Sequence, residues 1–296
     1  MDKLLKNHSI LIVLTILILL VTFLLFLKDR DNGRTEEGAI AGNNTELNTL
    51  NENLRSKVTI TTVFDNYPYK KGLKTGYGFS CLVEIDNIFG KKSLLFDTGA
   101  DKNTQSSNLS ALNLNISELD LIFLSHSHVD HVGGLTKMLE LSDNAKVVIP
   151  ASFPKSLKTK IKAYKADYRE VTVQEKISDS AYTTGEMGVT YKEQSLILVT
   201  EKGLVVVTGC AHPGIVDIVK KAKGMFPGMN IYLVMGGYHL GSKTNREVKN
   251  IVSDFRKMGV ENVAPSHCSG ETARKLFREE YKNNFWENGV GRVFEI

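Results

Sequence analysis

The sequence predicts an α/β domain of mixed sheets covered by helices, preceded by a membrane-spanning helix. Three observations carry this. An uncharged apolar run occupies residues 10–27. Short β-type runs alternate with helical segments from about Lys57 to Ile296. Three of the four histidine-bearing motifs directly follow apparent strands. Strands that alternate with helices and hairpins imply mixed sheets with helical cover.

The N-terminal element comes first. Residues 1–9 form a short tail. Ile10 to Leu27 reads ILIVLTILILLVTFLLFL without a charge. As a helix it is roughly 27 Å long, enough to cross a hydrocarbon core. Lys28, Asp29 and Arg30 follow directly, so the small-residue cleavage site of a secretory signal is missing and the run reads as an uncleaved anchor. Lys3 and Lys6 on one side nearly balance Lys28, Arg30 and Arg34 on the other. A short leading tail then favours an extracytoplasmic domain. Residues 28–56 are polar and without apolar period, as in a flexible tether. Residues 57–296 form the catalytic domain.

Bulk properties are those of an ordinary globular chain, with 42% hydrophobic and 24% charged residues and a formal charge of +4. That mild charge gives no reason to expect a nucleic-acid partner. Three cysteines do not make a disulfide framework, and their odd number leaves at least one thiol unpaired within the chain.

Within the domain, Phe79–Asp86, Leu94–Asp97, Leu121–Ser125 and Lys146–Ile149 read as strands. Ser195–Thr200 and Leu204–Thr208 flank a turn and read as a hairpin. Ile231–Met235 and Asn262–Ala264 add two more strands. Thr244 and Glu247 have the spacing of a capping box, before a helix whose apolar face is Val248, Ile251, Val252, Phe255 and Met258. Gly259 stops it. Over 155–169 the spacing predicts a surface helix, with Leu157, Ile161, Tyr164 and Tyr168 on one face. Lys158, Lys162, Lys165 and Arg169 make the other face basic, either simply solvated or turned to an anionic substrate or lipid headgroups.

Apart from His8, every histidine lies in or beside four motifs: LSHSHVDHVGGL (124–135), TGCAHPGI (208–215), MGGYHL (235–240) and APSHCSG (264–270). In an extended segment, residues two apart point the same way, so His126 and His128 can reach one metal ion. Asp130 and His131 lie just beyond and can face a second, with Gly133 and Gly134 letting the backbone turn sharply. Imidazole and carboxylate donors suit zinc, iron or manganese.

LSHSHVDHVGGL resembles the HxHxDH motif of the metallo-β-lactamase superfamily, and LLFDTGAD (94–101) resembles the strand and aspartate that precede it there. With Asp65-Asn66, GYGFSCLVE (76–84), TGCAH, GGYHL and PSHCSG, the domain is similar to the 7,8-dihydropterin-6-yl-methyl-4-(β-D-ribofuranosyl)aminobenzene 5'-phosphate synthase family. The resemblance implies a four-layer α/β/β/α sandwich with the site along one edge of the two sheets. It implies one metal held by His126, His128 and His212, and another held by Asp130, His131 and His267. Asp97 would orient a ligand or the bound water.

The sequence departs from the wider superfamily at two points. VVIPASFPK (147–155) lacks a further histidine, and Cys210 stands where many members carry a bridging aspartate. Cys210 is therefore either a thiolate ligand or a small buried side chain, and the centre holds one or two divalent ions, zinc foremost, with iron or manganese as alternatives. His239 is either a proton donor at the rim or structural. Cys268 reads as a packing residue. Asp65 and Asn66 line the pocket or make a turn.

A metal lowers the pKa of bound water to about 7, giving hydroxide for attack on a phosphoryl or acyl centre. The expectation is a membrane-anchored metal-dependent hydrolase, with Asp130 and His239 catalytic, acting on a small and anionic phosphoester. Three alternatives stand beside it. The resembled family implies a pterin-transferring synthase. The remaining two are an iron-dependent redox enzyme and a non-enzymatic metal-binding sensor.

Overall fold

The computed structural model describes residues 56–88, 90–142 and 144–296. The expected tail, membrane span and nearly all of the tether lie outside the described residues. Among the described residues no helix is long and apolar enough to cross a membrane. Ser56 is buried, and its hydroxyl lies 2.7 Å from that of Ser180.

Two sheets carry the domain. The first holds β1 (Lys57–Phe64), β2 (Ser80–Asn87), β3 (Gly90–Phe96), β4 (Leu121–Phe123), β5 (Lys146–Pro150), β6 (Tyr168–Val171) and β13 (Val293–Glu295), in the order β13-β1-β2-β3-β4-β5-β6. The second runs β12-β11-β10-β9-β8-β7, from β7 (Val173–Ser178), β8 (Ala181–Gly185), β9 (Leu196–Thr200), β10 (Gly203–Thr208), β11 (Ile231–Gly237) and β12 (Asn262–Ser266). Each sheet is antiparallel on one side and parallel on the other: β3 to β6 are parallel in the first, β10 to β12 in the second. Parallel strands need crossovers, which place helices on the outer faces.

The strand residues show why two layers of sheet form. Val205 and Val207 of β10 face the other sheet, in one core with Phe79, Val83, Phe96 and Phe123. Leu204 and Val206, one position out of phase, pack in a second core with helices α5 (Ile215–Met225), α6 (Asn245–Lys257) and α7 (Glu271–Tyr281). A strand buried on both faces cannot alternate polar with apolar residues, hence the continuous apolar run. A third core packs Leu95, Ile122 and Val147 under α1 (Lys102–Ala111), α3 (Leu135–Leu141) and α4 (Lys155–Ala163). This is the four-layer sandwich. Phe123 stacks on Phe96 at 5.4 Å between the sheets, and Phe123→Ala is expected to cost about 3–5 kcal/mol.

One element differs from expectation. The helix expected over 155–169 ends at Ala163, Lys165 takes a left-handed φ of 58°, and Tyr168 opens β6 beside β5. Tyr168 packs on the same outer core as Leu157 and Ile161, so a helical spacing was imitated by a helix and a strand covering one surface. Three of the four cations in the row are also paired: Lys158 with Glu170, Lys162 with Asp167 and Arg169 with Glu175.

Candidate metal centre

The C-terminal ends of five parallel strands meet at one edge of the sandwich. Asp97 follows β3, His126 and His128 follow β4, Cys210 and His212 follow β10, His239 follows β11 and His267 follows β12. The ends of strands in such sheets are where sites are built. Asp97, Ala211, His239 and His267 all take positive φ, at 52°, 63°, 54° and 49°. Strained non-glycine backbone concentrates where a side chain must be aimed.

His128 precedes a single helical turn, α2 (Val129–Val132), which carries Asp130 and His131. Gly133 and Gly134 have ordinary helical φ values of −63° and −82°. The expectation of a sharp glycine turn is therefore corrected. A Cβ at either position would run into the carbonyls of Ala100 or Thr98, so glycine is needed here for close packing against the loop after β3.

Two donor groups result. In the first, Asp130 Oδ2 lies 3.4 Å from His131 Nε2 and 3.2 Å from His267 Nε2, and Cys210 Sγ lies 3.2 and 3.3 Å from the same two nitrogens. In the second, the rings of His126, His128 and His212 stand 4.7–4.9 Å apart in every pairing. Cys210 and Asp130 each belong to sets with both groups, with donor atoms within 4.8 Å. Cys210 thus stands between the two groups, the place a bridging ligand would occupy.

Four imidazoles are tied through Nδ1. His131 Nδ1 bonds Asp97 Oδ2 at 2.7 Å, His212 Nδ1 bonds Glu193 Oε2 at 2.8 Å, and His267 Nδ1 bonds Asn66 Oδ1 at 2.9 Å. His126 Nδ1 bonds the Ser125 hydroxyl at 2.9 Å, and that hydroxyl donates to Asp97. A ring so held, once it carries a single proton, keeps that proton on Nδ1 and presents Nε2 as a donor. His126 Nε2 is buried with no hydrogen-bond partner. An orphaned buried nitrogen is costly, and a metal ion would satisfy it. The residues present therefore fit a metal.

The electrostatics agree. Burial works against charge on Asp130, but His131 and His267 outweigh it and hold the carboxyl well below the usual carboxylate range. Burial raises Asp97 and lowers His126, the latter well below the usual imidazole value. His126 is thus neutral and free to ligate.

Asp65 and Asn66 both support His267. Asp65 is fully buried, and its Oδ1 accepts the backbone N–H of Tyr67 at 2.9 Å and of His267 at 3.3 Å. Burial pushes its carboxyl up to about 6. His239 is exposed at the rim, its ring 4.6 Å from that of His212. Its hydrogen bond with Cys268 raises it above the usual imidazole value. The sequence reading missed Glu193, a fully buried carboxylate just before β9. Its Oε1 accepts the N–H groups of Cys210 and Ala211, both at 2.9 Å. A glutamate beside an apolar run carries no local sign of that role.

Comparison with known proteins agrees with this geometry. The metallo-beta-lactamase superfamily model matches residues 74–219. The chain belongs to the metallo-β-lactamase superfamily. It is 29% identical over 285 residues to the 7,8-dihydropterin-6-methyl-4-(beta-D-ribofuranosyl)-aminobenzene-5'-phosphate synthase of Methanocaldococcus jannaschii, covering 81% of this chain and 97% of the synthase. It is 30% identical over 270 residues to an uncharacterized protein of the same organism, covering 80% and 100%. A solved structure described as a metal-dependent hydrolase of the beta-lactamase superfamily superposes with a TM-score of 0.68 at 27% identity, covering 81% of this chain and 99% of that one.

Proposed function

We propose that the domain is a metal-dependent hydrolase acting on a small anionic phosphoester. The observation that supports this most is the pair of donor groups meeting at Cys210, with His131, His212 and His267 each anchored through Nδ1 so that Nε2 is left for a metal. Likeness to a metal-dependent hydrolase supports the same reading. A bound divalent ion supplies Lewis acidity and lowers the pKa of a coordinated water.

The chain's own residues do the rest. Asp97, Glu193, Ser125 and Asn66 fix the imidazoles, so no donor has to reorient during turnover. Asp130, ionised and buried among His131 and His267, gives the first group its negative charge. His239 stands exposed above His212, and its raised pKa keeps more of it protonated near neutral pH, as a proton donor to a leaving group requires.

A second reading, a synthase joining a pterin to an aminobenzene ribosyl phosphate, is favoured by the likeness over 97% of the named synthase. Two exposed rings flank the centre and offer flat faces to such a substrate: Tyr77 beside His267 at 5.1 Å, and Tyr191 beside His128 at 5.1 Å. The deciding experiment is metal quantification on the purified chain, then assay with bis(p-nitrophenyl) phosphate and with a pterin pyrophosphate plus the aminobenzene acceptor. A chain that takes up no transition metal would end both readings. Turnover only with the pterin pair would replace the first with the second.

The apolar run at 10–27 supports anchoring to a membrane with the domain outside the cytoplasm. Alkaline carbonate should leave the full chain in the membrane pellet, and external protease should reach the domain in intact cells. Release by carbonate would overturn the anchor.

A further inference from the structure

A third set of side chains meets at the rim: Cys210, Cys268 and His239, with donor atoms within 4.8 Å of one another. Cys210 already stands between the two donor groups, so what is left over is a pair of neighbouring thiols. Their closeness is not dictated by the sheet. Cys210 follows β10 and Cys268 follows β12, and β11 lies between them. Two strand spacings are roughly 9.5 Å. Gly237 at the end of β11 closes the distance. A Cβ there would sit 2.7 Å from Cys268 Sγ, so the sulfur occupies space that any side chain at 237 would fill. Cys268 thereby leans across β11, and its thiol donates to the Cys210 carbonyl at 3.6 Å.

We propose that Cys268 is an oxidative modification site that takes a peroxide and closes a reversible disulfide with Cys210. Cys268 is partly exposed, whereas Cys210 and Cys81 are buried, so Cys268 meets the oxidant first. The thiol of Cys268 attacks the peroxide, whose O–O bond breaks; one oxygen leaves as water and the other remains as the sulfenic acid. The sulfur of Cys210 then attacks that of Cys268, the S–O bond breaks, and hydroxide leaves with the thiol proton as a second water. The two sulfurs together lose two electrons, and the peroxide gains them. Rotation of both side chains brings sulfurs now within 4.8 Å toward the bond length of about 2.05 Å.

The disulfide draws Cys210 Sγ away from His131 and His267 and removes it from both donor groups. That consequence rests on the proposed metal centre; the disulfide does not. Cys81, enclosed between the sheets, stays reduced and serves as the internal control.

The test uses the full chain, stripped of metal with a chelator, exposed to hydrogen peroxide, alkylated and mapped by peptide mass. The expected result is a cross-linked pair of the Cys210 and Cys268 peptides, lighter by two hydrogens, with Cys81 alkylated only after unfolding. Dithiothreitol should reverse it. Zinc affinity should fall on the order of 10–100-fold in the oxidised form and recover on reduction. Cys268→Ser and Cys268→Ala should each form no cross-link and keep zinc uptake after the same peroxide dose. Cys268 recovered as sulfinic acid without a cross-link, or a cross-link containing Cys81, overturns the proposal. A Cys210–Cys268 cross-link with unchanged zinc affinity upholds the modification site and overturns instead the placing of Cys210 among the metal donors.

Discussion

Glu193 Oε2 lies 2.8 Å from His212 Nδ1, and the same carboxylate holds the backbone N–H groups of Cys210, Ala211 and His212. One buried side chain therefore aims both the thiol between the donor groups and a histidine of the second group. Burial opposes its charge, but His126, His212 and these N–H groups outweigh it and hold the carboxyl well below the usual range. Glu193→Gln keeps the volume and removes the charge. Its metal affinity is expected to fall by about 10–100-fold, with the far-UV spectrum unchanged. Wild-type affinity in a metal-buffered titration would show that Glu193 only packs.

That residue also marks where the sequence stops being legible. The strands β4, β10 and β11 were readable because burial on both faces leaves unbroken apolar runs bounded by the His and Gly motifs. The ligand-type residues were readable because His126, His128, Asp130 and His131 crowd into six positions. The edge strands β6 and β7, and β8 next to β7, were not, since their residues alternate between neighbours that only the tertiary fold supplies. Glu193, Asn66 and Ser125 act on histidines distant in the chain or through a hydroxyl between two other groups. No local pattern encodes such a partnership. The reach of Cys268 over Gly237 is hidden for the same reason.

In the metal-free chain, burial opposes charge on His131, but the carboxylates of Asp97 and Asp130 outweigh it and push the imidazole up to about 10. A raised histidine contributes stability that is fully present below its ordinary value of 6.5 and lost as pH rises through about 10. A metal needs Nε2 bare, so uptake must expel that proton. Affinity should therefore climb by about tenfold per pH unit between 6.5 and 9 if one proton is released. Calorimetry in buffers of different ionisation enthalpy measures the release directly. Asp97→Asn should flatten the slope, and a slope of zero in the wild type would contradict the tie between Asp97 and His131.

The capping box of α6 gives a pH dependence away from the centre. Thr244 Oγ1 accepts the N–H of Glu247 at 3.3 Å, and Glu247 Oε2 accepts the N–H of Thr244 at 2.8 Å. Hydrogen bonds from Thr244, then Lys243, hold the Glu247 carboxyl at about 2. A lowered acid contributes stability present above its ordinary value of 4.5 and lost as pH falls through about 2. Thr244→Ala should cost about 1 kcal/mol at neutral pH. The difference between Glu247→Gln and wild type should shrink as pH drops from 4.5 to 2, read by urea midpoints. A difference that stays constant over that range would mean the carboxylate charge adds nothing.

His267 and His239 separate holding the metal from using it. His267 is buried, tied to Asn66 through Nδ1, and its Nε2 meets Asp130 and Cys210. His239 is exposed, and its ring faces His212 across 4.6 Å without taking part in either donor group. His267→Ala should lower bound metal and abolish turnover together, because Asp130 and His131 lose the third arm of their group. His239→Ala should leave metal content at the wild-type value while turnover falls by about 100-fold or more, the contribution of a positioned proton donor. The pH profile sharpens the distinction. If His239 donates a proton, the wild-type rate declines on the alkaline side as that imidazole deprotonates, and the variant lacks this limb. A His239→Ala variant with full turnover and an unchanged alkaline limb would leave proton delivery to solvent and make His239 a rim residue alone.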